Sequence, residues 1–299
     1  MLFDPAFTAS GRFFKGNIHT HSDRSDGALG PAEVCRRYRE AGYDFLALTD
    51  HFLERYGFPI VDTTPFRTES FTTLLGAEVH APQTALGELW HLLAVGLPAD
   101  FPPTAPDESG AALAQRCLDA GAFVAIPHPG WYALTAADAA TIANAHAVEI
   151  YNHTSHVRTD RGDGAYLIDQ LLAEGRRVRL CATDDAHFHC DDAFGAFVMV
   201  KAEANDPDAL LAALKSGAFY SSQGPVIEDV RFQDDHVEIA CSPANSIMAL
   251  GRGSLAVQSR EPGAMHARLP LDRIRRGGFV RIAIADAQGR RAWTNPVWF

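Results

Sequence analysis

Short apolar runs alternate with amphipathic stretches through the first two-thirds of the chain. Gly16–Ser22 (GNIHTHS) reads as a strand ending in polar residues. Pro31–Ala41 (PAEVCRRYREA) follows as a helix, with proline in its first turn and Gly42 as its stop. Phe45–Thr49, Thr73–Val79 and His91–Leu97 are predicted strands, and Gly110–Ala120 a helix. Strands at Phe123–Ile126, Val148–Tyr151, Val178–Ala182 and Phe197–Lys201 then alternate with helices at Ala136–Ala145, Ala165–Glu174 and Pro207–Lys215. That rhythm predicts βαβ units and a largely parallel sheet or barrel. The Pro-rich stretch 98–106 is a loop within it, because the alternation resumes afterwards.

From about Val226 the pattern changes to period-two strands separated by turn residues: VIEDVRF, HVEIACS, IMALGRG, FVRIAIAD and AQGRRAWTNPVWF. The expectation is therefore an α/β unit over residues 1–224 and a small antiparallel, sandwich-like β domain over 225–299. The β domain is a candidate to cap the barrel, shape its entrance or mediate homo-oligomer assembly.

Charge and histidine content sharpen this outline. The chain has 299 residues, a formal charge of −11 and 13 histidines. Residues 1–200 hold 26 Asp and Glu against 14 Lys and Arg, and 11 of the histidines. Acid and imidazole thus share one region, as a multi-cation site needs. The same balance argues against a surface for long nucleic acid, which relies on clustered basic residues. The five cysteines are odd in number and form no CxxC pair, which predicts reduced thiols and a cytoplasmic protein. No apolar run approaches the roughly 18 residues of a membrane span, so no membrane partner is expected.

The histidines fall at strand ends. His19 and His21 stand two apart, and residues i and i+2 of a strand project to one face. Asp26 follows in the SDG loop, His51 ends FLALTDH, and Glu78 ends TLLGAE with His80 two residues on. His91 opens the next strand, His128 sits in IPHPG, and Asp185-x-His187 closes CATDDAH. In a barrel the strand C-termini converge on one face. Nine nitrogen and oxygen donors exceed what one zinc ion uses, which points to two or three cations with a bridging carboxylate such as Glu78.

These motifs, GNIHTHSDRSDG, GYDFLALTDH, GAEVH, IPHP and TDDAH, resemble the polymerase and histidinol phosphatase (PHP) superfamily of metal-dependent hydrolases over roughly residues 15–220. The resemblance implies a distorted (β/α)7 barrel holding two or three Mn, Fe or Zn ions. It carries metal ligation to His19, His21, Asp26, His51, Glu78, His91, His128, Asp185 and His187. The D-x-H spacing selects Asp185 over Asp184, while His80 lies outside the pattern. The tail from FYSSQGP to the C-terminus resembles the branch grouped with carbaryl hydrolase.

The implied chemistry is hydrolysis of a small anionic substrate, a phosphate ester such as a nucleotide or sugar phosphate. A cation-bound water ionises near pH 7 instead of about 15.7 and attacks phosphorus or a carbonyl carbon. Glu78, Asp185 and His187 act through that water. Arg158 and Arg161, in NHTSHVRTDR, are candidates for binding the non-reacting oxygens, with His153 as a contact or proton donor. Hydrolysis of a carboxylic or carbamic ester, or an amide, at the same centre is the alternative. A non-catalytic or nucleic-acid-associated module is a third reading, against which the full donor set speaks. Asp50 is expected either to support a ligand or to be a helix N-cap or a surface acid at a strand end, and Cys181 to be a core residue.

Overall fold

The computed structural model describes residues 2–299. A short helix α1 (Pro5–Thr8) precedes β1 (Arg12–Asn17), α2 (Pro31–Glu40), β2 (Phe45–Leu48) and β3 (His51–Phe52). Then come β4 (Thr72–Ala81), β5 (Trp90–Val95), α3 (Gly110–Asp119), β6 (Phe123–Ile126), α4 (Ala136–Thr141) and β7 (Ala147–Asn152). α5 (His153–Thr159), α6 (Ala165–Ala173), β8 (Arg179–Thr183), β9 (Phe197–Ala202), α7 (Pro207–Ser216) and β10 (Phe219–Ser222) complete the α/β part. The C-terminal strands are β11 (Ile227–Phe232), β12 (His236–Ala244), β13 (Ser246–Leu250), β14 (Ala256–Ser259), β15 (Ala264–Pro270), β16 (Phe279–Ala285), β17 (Arg291–Trp293) and β18 (Val297–Trp298). Among the described residues, no helix is long and apolar enough to cross a membrane.

The large sheet is mixed. Strands β1, β2 and β4 run parallel, β5 is antiparallel to both β4 and β6, and β6, β7 and β8 are again parallel. Beyond β8 the chain meets the continuation of β1: Asp185 N–H donates to the His19 carbonyl (2.9 Å) and His21 N–H to the Ala186 carbonyl (3.0 Å). Strand–helix alternation therefore breaks between β4 and β5, which a helix-free loop connects. The predicted strand Gly16–Ser22 starts and ends earlier than expected, because Thr20 pairs with Ala186 by a single bridge and not by a continuous ladder. The segment after β7, for which the sequence pattern predicts no element, forms α5, capped by Asn152.

Alternation on β2 shows how the layers form. Phe45 and Ala47 face the interior with Phe14, Leu74, Leu93, Phe123 and Val198, whereas Leu46 and Leu48 meet Val34, Cys35 and Tyr38 of α2. The Phe45 ring occupies the space beside Gly16, only 2.1 Å from where a Cβ would stand, so no larger residue fits there. This packed interior forms a floor, and the polar strand ends lie above it.

The C-terminal strands divide between two sheets. β11, β12 and β15 form a three-stranded antiparallel sheet. β13, β14, β16 and β17 extend the large sheet, because β17 pairs with β10 at Ser221 and Ser222. Ile227, Val237, Ile239, Ile247, Ile282 and Ile284 fill the space between them. Hydrogen bonding thus runs unbroken across the sequence position where composition changes.

Two polar anchors are testable. Arg281 of β16 is buried and grips both oxygens of Asp169 on α6 at 2.9–3.1 Å. Asp169→Ala, which strands that guanidinium, should lower unfolding free energy by about 2 kcal/mol in urea titrations; Asp169 is partly exposed, which keeps the loss below that of a fully buried pair. Asp4 caps α1 through Ala6 N–H (2.9 Å), and its burial raises its carboxyl to about 7 from the ordinary 3.8. The folded chain therefore takes up a proton between pH 3.8 and about 7, and stability falls as pH rises through that window. Asp4→Asn should flatten this fall, read as a gain in melting temperature that is larger at pH 8 than at pH 5.

Candidate metal centre

Above the floor, the strand ends bring all nine sequence-selected donors and His80 into one array. His19 and His21 follow β1, and their Nε2 atoms stand 3.2 and 2.9 Å from Asp185 Oδ1. The same atoms lie 3.7 and 3.6 Å from Glu78 Oε2. The other Glu78 oxygen faces His91 Nδ1 (2.7 Å) and His128 Nε2 (2.9 Å). Asp26, on its loop, is 3.4 Å from His51 Nε2 and 3.5 Å from His187 Nε2. His51 presents its other nitrogen to Glu78 Oε2 at 2.6 Å and to His80 Nε2 at 3.0 Å. Four overlapping groups of donors emerge: His21, Asp26, His51 and His187; His51, Glu78, His80 and His91; His19, His21 and Asp185; and His19, Glu78 and His128.

A divalent cation fits these groups because the chain leaves lone pairs aimed inward. His19 Nε2 and Glu78 Oε2, both facing the other donors, are buried without a hydrogen-bond partner. An unmatched buried polar atom costs roughly 1–3 kcal/mol, so two that face each other within one array call for a shared ligand.

Electrostatics in the array oppose burial with charge. For Glu78, burial favours the neutral acid, but the charges of His91 and His51 and hydrogen bonds from other imidazoles hold it well below the carboxylate range. For His19, burial disfavours the cation, yet Asp185 and Glu149 carry it well above the ordinary imidazole value. His51 behaves likewise, raised to about 10 against burial by Glu78 and Asp26. His21 goes the other way, to about 4, because burial is reinforced by His187 and His51. The shifts of His19, His21 and His51 therefore come from the charges they share with their neighbours and not from burial alone.

Sequence reading missed the residues that hold this array in place. Glu149, wholly buried on β7, accepts from His19 Nδ1 (2.8 Å), the His128 amide (2.7 Å), Asn152 Nδ2 (2.9 Å) and the Thr183 hydroxyl (2.6 Å). With Nδ1 so engaged, His19 has only Nε2 to offer inward. Asn152 also donates to Asp185 Oδ2 (3.1 Å), and the Thr154 hydroxyl to the Asp185 carbonyl (2.8 Å). These bonds hold Asp185 at φ 57°, while Glu149 holds His128 at φ 29°. Such left-handed backbone costs about 1–3 kcal/mol in non-glycine residues and persists only where the surroundings impose it. The available signal was an acid inside the apolar strand AVEIYN.

Asp50 and Asp184 also support the site without joining the donor groups. Asp50 accepts from Ser22 N–H (2.7 Å) and from the Ser22 and Ser25 hydroxyls (both 2.6 Å), tying down the loop after His21. Asp184 accepts from the Tyr38 hydroxyl and the Phe194 and Ala196 amides, with burial raising it to about 6. Cys181 lies in the floor, where burial holds its thiol well above the ordinary range.

The array opens into a cavity of ≈ 480 Å³. Arg158 lines it, and so does Arg55, a residue that sequence reading passed over in the loop after His51. Leu53, Leu89 and Trp131 add an apolar wall. Arg161 and His153 are not among the lining residues. Arg161 donates to the Trp131 carbonyl (3.2 Å) on the outer surface, and the His153 ring lies against Gly195 with Nδ1 3.1 Å from the Tyr151 hydroxyl. Helix α5 explains the split: it carries Arg158 in its last turn, at the cavity wall, while Arg161 follows the left-handed cap at Asp160.

Glu149→Ala would take away the acceptor shared by four buried donors, and a stability loss of about 3 kcal/mol is expected by urea unfolding. Glu149→Gln should fold better but weaken binding of Mn²⁺ about 10- to 100-fold in calorimetric titration, because His19 loses its orienting carboxylate.

No protein-family model and no curated protein matches the chain. Among solved structures, a two-domain protein of Bacteroides vulgatus containing a predicted PHP-like metal-dependent phosphoesterase superposes with a TM-score of 0.54 at 15% identity, covering 94% of each chain. A candidate metal-dependent phosphoesterase of Bifidobacterium adolescentis gives 0.41 at 17% identity over 60% of this chain and 89% of its own. An amidohydrolase of Chromobacterium violaceum with bound sulfate gives 0.41 at 16% over 59% and 89%. By TM-score it is the two-domain Bacteroides protein that informs on the fold, and the chain shares that protein's fold.

Proposed function

We propose that the chain is a divalent-metal-dependent hydrolase of a small phosphate ester. The observation that carries this reading is the inward-facing array of His19, His21, Asp26, His51, Glu78, His91, His128, Asp185 and His187 beside Arg158 and Arg55 in one cavity. Two or three Mn, Fe or Zn ions held there would add positive charge and make the pocket attractive to an anion despite the acidic chain. Bound cations supply Lewis acidity and acidify water near neutral pH. In this reading residues 1–224 form a distorted (β/α)7 barrel, with its antiparallel member at β5, and 225–299 a β domain beside it.

The chain's own residues bind and orient. Arg158 and Arg55 line the cavity as guanidinium forks for the non-reacting phosphate oxygens. Glu149 and Asn152 keep His19 and Asp185 aimed inward, so no side-chain reorganisation accompanies binding. Trp131 and Leu89 shield the mouth, which strengthens the field inside.

Hydrolysis of a carboxylic or carbamic ester, or an amide, is the second reading. It is favoured by the apolar wall of Leu53, Leu89 and Trp131 and by the tail's resemblance to the carbaryl hydrolase branch.

A direct comparison separates the two. Protein stripped with chelator should be inactive and regain activity with Mn²⁺. The restored enzyme should hydrolyse phosphate esters at least tenfold faster, by kcat/KM, than aryl esters or carbamates. Arg158→Ala should lower kcat/KM for phosphate esters by about 10- to 100-fold, a loss of about 1.4–2.8 kcal/mol, and change aryl-ester turnover little. Preference for aryl esters or carbamates would reverse the assignment.

A further inference from the structure

We infer that His80 donates its Nε2 to a divalent cation seated beside Glu78 and His91, a donor outside the nine that the family pattern selects. The inference rests on the metal-dependent reading above. Its starting point is register. On β4, Glu78 and His80 are two residues apart and share one face. His51 of β3 stands opposite Glu78, and His91 of β5 stands opposite His80. Three neighbouring strands therefore deliver four donors at successive cross-strand positions, with their donor atoms all within 4.8 Å of one another.

The need for His80 follows from how His51 is placed. A neutral imidazole has one lone pair, because its other nitrogen carries the proton. His51 Nε2 faces Asp26 at 3.4 Å, in the group that also holds His21 and His187. Committed there, His51 keeps its proton on Nδ1, and that nitrogen no longer serves the Glu78 group. His80 Nε2 lies 3.0 Å from that same Nδ1 and 4.0 Å from Glu78 Oε2. Tetrahedral donors about 2.1 Å from zinc stand roughly 3.4 Å apart, so small shifts admit a cation between His80, Glu78 and His91.

A merely structural role fits poorly. His80 is buried, its Nδ1 has no partner, and its Nε2 meets only another imidazole. His146 shows what a structural histidine looks like in this chain: its ring stacks on Phe123 and its Nδ1 accepts from the Val124 amide at 3.1 Å. His80 has no such backbone partner among the described residues.

Crystals of the full chain loaded with Zn²⁺ alone, measured on both sides of the zinc absorption edge, test the inference. An anomalous peak about 2.1 Å from His80 Nε2 is expected. In solution, His80→Gln should lose about one equivalent of zinc retained after dialysis, with its helix and strand content unchanged by circular dichroism. His80→Asn serves as the second variant if the first folds poorly. Zinc in the cavity with no peak within bonding distance of His80, together with an unchanged zinc content in the variants, would overturn the inference and leave the metal-dependent reading intact. Wild-type protein that retains no zinc and no Mn²⁺ would overturn both.

Discussion

The structure turns on one buried carboxylate. Glu78 sits in the C-terminal half of β4 with no solvent contact, and five imidazoles approach its two oxygens at 2.6–3.7 Å. Neither the acid nor the imidazoles would be stable at that depth alone, since a buried charge without a counter-charge costs several kcal/mol. Each justifies the other's burial, and the surrounding strands must converge on one place for this to hold. The antiparallel β5 belongs to that constraint, because it brings His91 against Glu78 from the side that a parallel strand would leave to a crossover helix.

Around this pairing lies a shell of acids that never face the cavity. Glu149, Asp50 and Asp184 each accept three or more hydrogen bonds from backbone amides, hydroxyls or an imidazole. Their geometry leaves the array few alternatives: His19 has one free nitrogen, the loop after His21 is pinned, and Asp185 is held in a left-handed conformation. The floor of Phe14, Phe45, Leu74 and Phe123 beneath supplies the rigidity that such placement requires. The C-terminal strands contribute at a distance. Ser221 on β10 receives the Ala182 amide and donates to the Leu180 carbonyl, which couples β8 to the sheet extension through β17.

How much could be read in advance varied with the physics involved. The HTH, GAEVH, IPHP and DAH segments were legible because ligand residues at strand ends interrupt apolar runs with a fixed spacing. Most helix and strand positions followed for the same reason, since burial on one face imposes a period. Glu149 was not legible. Its strand is buried on both faces, so an acid there has no periodic signature, and its four partners come from four separate segments. Arg55 and Arg158 look alike in the sequence as cations in polar loops, and so does Arg161. Only helix α5 and the course of the loop after β3 bring the first two to the cavity wall and leave the third away from it.

The sequence by itself determined the alternating α/β order, the change to antiparallel strands near residue 225, and the donor atoms gathered at the strand ends. Each of these depends on neighbours a few residues apart. The tertiary structure decided the antiparallel placement of β5, the continuity of the large sheet across β10 and β17, and which nitrogen of each imidazole faces inward. It also decided that His80 joins the array. Those outcomes depend on register between strands distant in the chain, and a one-residue slip in any ladder would turn a ligand to the opposite face.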